Sequence, residues 1–118
     1  MVKTNTILFG WNRPVQGREG IASELFSTAV SFYEKCKTSG KIESYEPVFL
    51  TGHGGDLNGF FLIKGSHEQL DTLVCSDEWV DLTMRAGHCL TSVGVIYGYT
   101  GNMVSECLSK WTKTIPTK

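Results

Sequence analysis

Apolar and polar positions change their spacing repeatedly along the chain, and each change predicts an element of secondary structure. Short runs rich in β-branched and aromatic residues predict strands, whereas apolar residues spaced three or four apart predict helices. The predicted strands span residues 5–11, 42–50, 60–64 and 92–99. The predicted helices span residues 19–38, then two pieces that begin at Ser66 and Ser76 and end near Gly87, and finally 103–114.

Local sequence signals support two of these boundaries and place one strand. Ser66-His67-Glu68-Gln69 has the form of a capping box, in which the serine hydroxyl and the glutamine side chain satisfy free backbone amides. Ser76 is expected to cap a second helical piece in the same region. Pro47 cannot donate a hydrogen bond to a sheet ladder, so the second strand is expected at a sheet edge or at a bulge.

The element order is β-α-β-β-α-β followed by a terminal helix. This order predicts an α+β, ferredoxin-like fold with a four-stranded antiparallel sheet. Right-handed crossovers place strands one and three in the centre and strands two and four at the edges. We expect residues 1–118 to form a single domain, with a core over about 5–100 and a C-terminal helix over about 102–114.

The predicted strands carry apolar residues at both sets of alternating positions. In the first strand Ile7 and Phe9 alternate with Leu8, and in the third Phe61 alternates with Leu62. Strands of this kind are buried on both faces, whereas helices cover only one face of this fold. A two-fold homodimer would supply the second cover. The alternative is that the terminal helix folds back over the bare face of its own subunit.

Composition narrows the partners and the compartment. Lys and Arg number 11 against 12 Asp and Glu, without a basic cluster, which argues against nucleic-acid binding. Apolar runs are shorter than the ~18 residues of a membrane span, and the first residues do not resemble a signal peptide. The four cysteines are widely scattered, without a C-x-x-C pair. A reduced, cytoplasmic protein without membrane contact is the expectation.

The stretch TGHGGDLNGFF at residues 51–61 raises the possibility of a phosphate-binding loop. Such a loop requires a helix after it, and strand residues follow here instead. We predict a turn between two strands, with Gly54, Gly55 and Asp56 supplying its positive φ angles. His53 lies on this turn and remains a candidate for proton transfer.

The spacing of candidate residues does not indicate a metal site or a catalytic nucleophile. His53, His67, His88 and Cys89 are candidate ligands by type, but their spacing matches no metal motif, so we predict no metal and no cofactor. The serines lack a nucleophile-elbow motif. The cysteines fall on apolar faces, where burial raises a thiol pKa.

Aromatic residues near strand ends provide the best candidate site. Aromatic walls with a few polar groups are typical of small-molecule pockets, although they are equally typical of an aromatic core. The candidate ligand-binding residues are Trp11, Arg13, Glu46, Phe49, His53, Tyr97 and Tyr99. Of these, His53 and Tyr97 are the candidates for a catalytic role.

The segment over residues 66–99 resembles the second half of the dimeric α+β barrel superfamily, and the likeness in topology covers about residues 5–100. The similarity lies in the helix that starts over Ser66 to Leu70, the restart at Ser76 to Trp79, and the step into strand four at Cys89 to Val93. That superfamily includes antibiotic-biosynthesis monooxygenases, stress-responsive barrel proteins, and EthD-like and YciI-like proteins. The resemblance implies a homodimer in which two sheets close a barrel, but it brings no catalytic signature.

Three functions are compatible with these observations. The leading hypothesis is a homodimer that binds a small apolar or aromatic molecule in a cavity beside the sheet. The second is a cofactor-independent monooxygenase or isomerase, as the resemblance permits, with an oxygen-consuming or proton-transfer reaction in a dry pocket. The third is a structural or interaction module whose barrel interior is filled by side chains.

Overall fold

The structure of the protein, a computed structural model, describes residues 1–117. Over this range the chain forms four strands and four helices in the predicted order. The strands are β1 (Thr6–Trp11), β2 (Ser44–Phe49), β3 (Gly59–Lys64) and β4 (Gly94–Gly98). The helices are α1 (Glu19–Thr38), α2 (His67–Val74), α3 (Asp77–Cys89) and α4 (Asn102–Lys113). Within the same range, no helix is long and apolar enough to cross a membrane.

The strands form one antiparallel sheet in the order β2-β3-β1-β4. The ferredoxin-like α+β fold predicted from the element order is therefore confirmed. Pro47 lies in edge strand β2, where the backbone nitrogen of a proline need not serve an outer neighbour.

Helix starts follow the predicted caps. Ser66 Oγ accepts a hydrogen bond from the backbone nitrogen of Gln69 at 3.0 Å, and Gln69 Oε1 accepts one from the backbone nitrogen of Ser66 at 2.8 Å. This reciprocal pair is the capping box expected at the start of α2. Ser76 Oγ likewise accepts from the backbone nitrogen of Trp79 at 3.2 Å and begins α3.

Helices α1, α2 and α3 cover one face of the sheet and form the core with it. The covered face carries alternate residues of the strands, with Ile7 and Phe9 from β1 and Phe61 and Ile63 from β3 all buried. Cross-strand pairing joins Ile7 to Ile63 and Phe9 to Phe61, so these side chains lie side by side beneath the helices.

The other face of the sheet is open, and we call it the open face. It carries the intervening strand residues, whose apolar members are half-buried at Leu8, Phe60, Leu62 and Val48 and exposed at Ile96. The expectation that every strand is apolar on both faces is wrong for β2. There, Ser44 and Glu46 occupy the open face beside Lys64 and Leu62.

The terminal helix does not fold back over this open face. Within residues 1–117, no residue of α4 is buried, and α4 packs on no other element to more than a marginal extent. The chain consequently measures 55 × 38 × 21 Å, with a radius of gyration of 16.3 Å. A compact chain of this length would have a radius near 13–14 Å, about the value that globular scaling gives.

The glycine-rich stretch forms the connection between β2 and β3, as the turn interpretation requires. The antiparallel pairing of Phe49 with Gly59 closes this hairpin. Gly54 has a φ of 80°, which supports its predicted role. The same prediction is wrong for Gly55 and Asp56, since neither has a positive φ in this part of the described chain.

Candidate functional site

A cavity of about 400 Å³ lies between the covered face of the sheet and helices α1 and α3. Its volume falls in the range of about 300–1,000 Å³ that small-molecule sites occupy. Aromatic side chains make up much of its wall, and they are Phe9, Trp11, Phe26, Tyr33, Phe49 and Phe61.

The aromatic rings contact one another and form a continuous wall. Phe26 from α1 stacks on Phe61 from β3 with ring centroids 5.2 Å apart and planes inclined by 22°. Phe26 also meets Phe49 at 5.0 Å, and Phe61 meets Trp11 at 5.7 Å and Tyr33 at 4.9 Å. Contacts of this kind hold each ring against its neighbours. The wall is therefore expected to keep its shape without a ligand.

Small residues on the helices leave the space that these rings do not fill. Ala22 and Ala29 on α1 and Ala86 on α3 are buried and line the cavity. Ala22, Phe26, Ala29 and Tyr33 follow each other at spacings of four, three and four residues, so they share one face of α1. Alanine at these positions leaves a gap that a larger aliphatic residue would occupy.

The loop after β1 is fastened to the segment after α3 and forms one rim of the cavity. The backbone nitrogen of Asn12 donates to the carbonyl of Thr91 at 2.9 Å, and that of Thr91 donates to the carbonyl of Arg13 at 2.8 Å. Pro14 and Leu90 form a bridge beside these bonds and both line the cavity. The rim is thus held by backbone hydrogen bonds.

Polar groups are few among the described residues that line the cavity, and Glu19 is the charged one. Glu19 and Ser23, both exposed, line the cavity at the start of α1. Arg18, the neighbour of Glu19, does not line the cavity, and its guanidinium donates to the carbonyl of His88. Burial raises the pKa of the Tyr33 phenol far above its usual value, so this group stays neutral.

Buried side-chain polar atoms are otherwise satisfied. Over residues 1–117, none of them lacks a hydrogen-bond partner. In this part of the chain, the cavity therefore has no fully enclosed polar side-chain atom without a partner.

Among the residues predicted from sequence, Trp11 and Phe49 come together at this cavity. Their ring centroids are 6.4 Å apart at an interplanar angle of 77°. Trp11 is buried, whereas Phe49 is 69% exposed, which places Phe49 at the opening. Arg13 follows Trp11 in the rim loop, and its side chain is exposed outside the residues that line the cavity.

Tyr97 and Tyr99 lie at the opposite end of the sheet from Trp11. In the antiparallel register Tyr97 pairs with Ile7, four positions before Trp11, which corresponds to roughly 13 Å along the strand. Tyr97 on edge strand β4 and Tyr99 just after it are both exposed, outside the cavity lining. Glu46 pairs with Leu62 on the open face. The structure therefore does not gather these three residues with Trp11.

His53 is exposed in the β2–β3 connection, where it braces the turn. Its Nδ1 accepts a hydrogen bond from the backbone nitrogen of Gly55 at 3.2 Å, and its Nε2 lies 2.8 Å from the carbonyl oxygen of Leu57. These partners assign the ring proton to Nε2. Both ring nitrogens are thus engaged with the backbone of their own loop.

The thiols and candidate metal ligands do not form a reactive cluster. Burial raises the pKa of the Cys36 and Cys89 thiols, which therefore stay protonated and unreactive. In the part of the chain that the structure describes, no three His, Cys, Asp or Glu residues converge as metal ligands would.

Comparisons with known proteins agree with this fold and add no chemistry. No protein-family model matches the sequence. No curated protein matches it either. Among solved structures, the chain is similar to a dimeric protein of unknown function and ferredoxin-like fold from Bacteroides fragilis. The two share 11% sequence identity and a TM-score of 0.58, over 82% of this chain and 95% of that chain. At this identity the likeness establishes the ferredoxin-like fold alone.

Proposed function

We propose that the protein is a homodimer of the α+β barrel type that binds a small, neutral, apolar or aromatic molecule in each subunit. The cavity between the sheet and helices α1 and α3 is the observation that carries the binding proposal. Its wall is aromatic and its volume is about 400 Å³. Over residues 1–117, the lining holds no cation that would pair with an anionic ligand, and its mostly apolar wall favours ligands with few polar groups.

The dimer part of the proposal has separate support. The open face leaves Leu8, Phe60 and Leu62 only half-buried in a lone subunit. A second sheet would remove this apolar surface from water. The similar Bacteroides fragilis protein is described as dimeric, and we extend that state to this chain as part of the proposal.

The test is a binding titration of naphthol, a neutral two-ring probe, followed by thermal unfolding and by tryptophan fluorescence. Trp11 lines the cavity and should report occupancy directly. We expect naphthol to raise the melting temperature and to change Trp11 emission. Ala22→Leu places a larger side chain in the lumen and should weaken binding at least tenfold.

Ser27→Leu is the matched control, because it adds a leucine to the same helix at an exposed position outside the lining. It should bind naphthol as the wild type does. Absence of binding to the wild type at millimolar naphthol, or equal binding by Ala22→Leu, would refute the cavity as a ligand site.

The enzymatic alternative, a cofactor-independent monooxygenase or isomerase, stays a hypothesis without an observation in its favour. Its candidate groups His53 and Tyr97 lie outside the lining of the cavity. The interaction-module alternative stays a hypothesis too. In that alternative, side chains fill the space between the two sheets of the dimer. An experimental structure of the dimer would show whether they do.

A further inference from the structure

Helix α4 carries an exposed apolar stripe that its own subunit leaves uncovered. The stripe consists of Val104, Leu108 and Trp111, continued one turn later by Ile115, with exposed fractions of 50, 57, 61 and 47%. At 100° per residue the three helical members fall within an arc of about 60°. The spacing of four, three and four residues is that of a helix-packing seam.

The opposite side of α4 is polar. Glu106, Ser109, Lys110 and Lys113 are exposed there. The helix is therefore amphipathic, as is typical of a helix that packs one face against protein and exposes the other to solvent. Left in water, the stripe would be an apolar patch on the order of 400 Å², comparable to the largest patch of a typical monomer, and patches of that size are often functional.

Hydrogen bonds hold the start of α4, and the helix leaves the sheet without covering its open face. The Asn5 side chain makes two hydrogen bonds to the backbone of Thr100. Its Nδ2 donates to the Thr100 carbonyl at 2.9 Å, and its Oδ1 accepts from the Thr100 backbone nitrogen at 2.8 Å. Gly101, with a φ of 61°, then begins the helix directly. From this start α4 runs away from the sheet, and within residues 1–117 none of its residues is buried.

We propose that α4 is an exchanged arm, which packs its stripe against a second copy of this chain. Each subunit would then give one arm and receive another, as two-fold symmetry requires. This inference rests on the homodimer of the proposed function and adds a specific element to its interface.

Area supports a second copy as the occupant. A standard interface buries about 800 Å² on each partner, and the stripe alone supplies roughly half of that. The half-buried residues of the open face can supply the remainder, because both surfaces belong to the same chain and neither is covered within it. The polar side carries one carboxylate and two lysines, so its net charge is only slightly positive. A helix with so little positive charge is attracted only weakly to an anionic membrane.

Trp111 makes the proposal measurable. Trp11 and Trp79 are buried at 8 and 4% exposure, so a quencher in water should reach Trp111 first. We expect acrylamide to quench little of the fluorescence at high protein concentration. Dilution through the concentration range in which the dimer dissociates should increase the fraction of tryptophan fluorescence that acrylamide quenches. Trp111→Phe should abolish this increase.

Paired charge substitutions locate the contact. Leu108→Glu puts a carboxylate in the stripe and should weaken self-association at least tenfold in sedimentation equilibrium. Ser109→Glu adds the same charge on the polar side and should leave self-association unchanged. Because both positions are exposed in the subunit, both variants should retain the wild-type circular dichroism spectrum.

The outcomes separate this inference from the homodimer. A wild-type protein that stays monomeric at every concentration would overturn both. A dimer in which Trp111 remains open to acrylamide, or in which Leu108→Glu associates like the wild type, would overturn the exchanged arm and leave the dimer standing. Cosedimentation of the protein with lipid vesicles would also overturn it, if Leu108→Glu abolished that binding and left the oligomeric state unchanged.

Discussion

Gly59 and Gly10 offer a matched pair of substitutions that tests how tightly the wall of the cavity is packed. Both lie in central strands, and Gly59 is the cross-strand partner of Trp11. A Cβ atom built on Gly59 would lie 2.7–2.9 Å from three atoms of the Trp11 indole. A Cβ atom built on Gly10 would lie 2.6 Å from Leu57 Cδ1, which is the far end of a flexible side chain.

The expected costs follow from what each neighbour can do. Replacing a strand glycine by alanine gains about 0.5–1 kcal/mol through the unfolded chain. Forcing a methyl group into a packed wall costs about 1–3 kcal/mol. The Trp11 ring contacts Phe61 and Phe49 and cannot move freely, whereas the Leu57 methyl can rotate away. Gly59→Ala should therefore lower the free energy of unfolding by about 1–2 kcal/mol, and Gly10→Ala should stay within about 0.5 kcal/mol of the wild type.

Urea unfolding followed by circular dichroism measures both variants. For a domain of this size the Gly59→Ala change corresponds to a fall in melting temperature of about 3–8 °C. A double-mutant cycle with Trp11→Leu should give a coupling energy of at least about 1 kcal/mol, because removing the indole removes the clash. Equal destabilisation by the two glycine variants, or additive effects in the cycle, would refute the packing argument.

Three further outcomes are expected. Ser66→Ala breaks the capping box with Gln69 and should cost about 1 kcal/mol in urea unfolding, whereas Ser27→Ala at an exposed mid-helix site should not destabilise. Burial raises the pKa of Tyr33 in the folded state, so its contribution to stability is complete below the unfolded value of about 10 and declines above it. Tyr33→Phe should show a shallower decline in stability between pH 10 and 11, and an unchanged slope would contradict this. Ala29→Leu should raise the melting temperature while it weakens naphthol binding, and a lower melting temperature would show that the cavity cannot take the side chain.

Local signals predicted the elements well because the chemistry that starts or stops an element lies within a few residues. Glu19–Thr38 was predicted as a helix and is one, and the caps at Ser66 and Ser76 start helices as expected. Pro47 predicted a strand at a sheet edge or with a bulge, and β2 lies at the edge. The strand order then followed from the handedness of crossovers.

The grouping of site residues depended on strand direction, and the predicted antiparallel sheet already separates the end of β1 from the end of β4. Trp11 and Tyr97 were expected near each other because their strands are neighbours. Antiparallel pairing instead places the end of β1 beside the start of β4, so Tyr97 meets Ile7. The direction of α4, by contrast, was not predictable from local sequence. It depends on the hydrogen bond between Asn5 and Thr100, which are 95 positions apart in sequence.

The cavity arises from a mismatch of side-chain sizes that was visible in the sequence but could not be interpreted there. Aromatic residues on the strands face a helix surface on which Ala22 and Ala29 alternate with Phe26 and Tyr33. Interiors normally fill such gaps, because an empty space forfeits dispersion contacts on all its walls. Rings braced against each other resist collapse into the gap, so the space between α1 and the sheet stays available to a ligand.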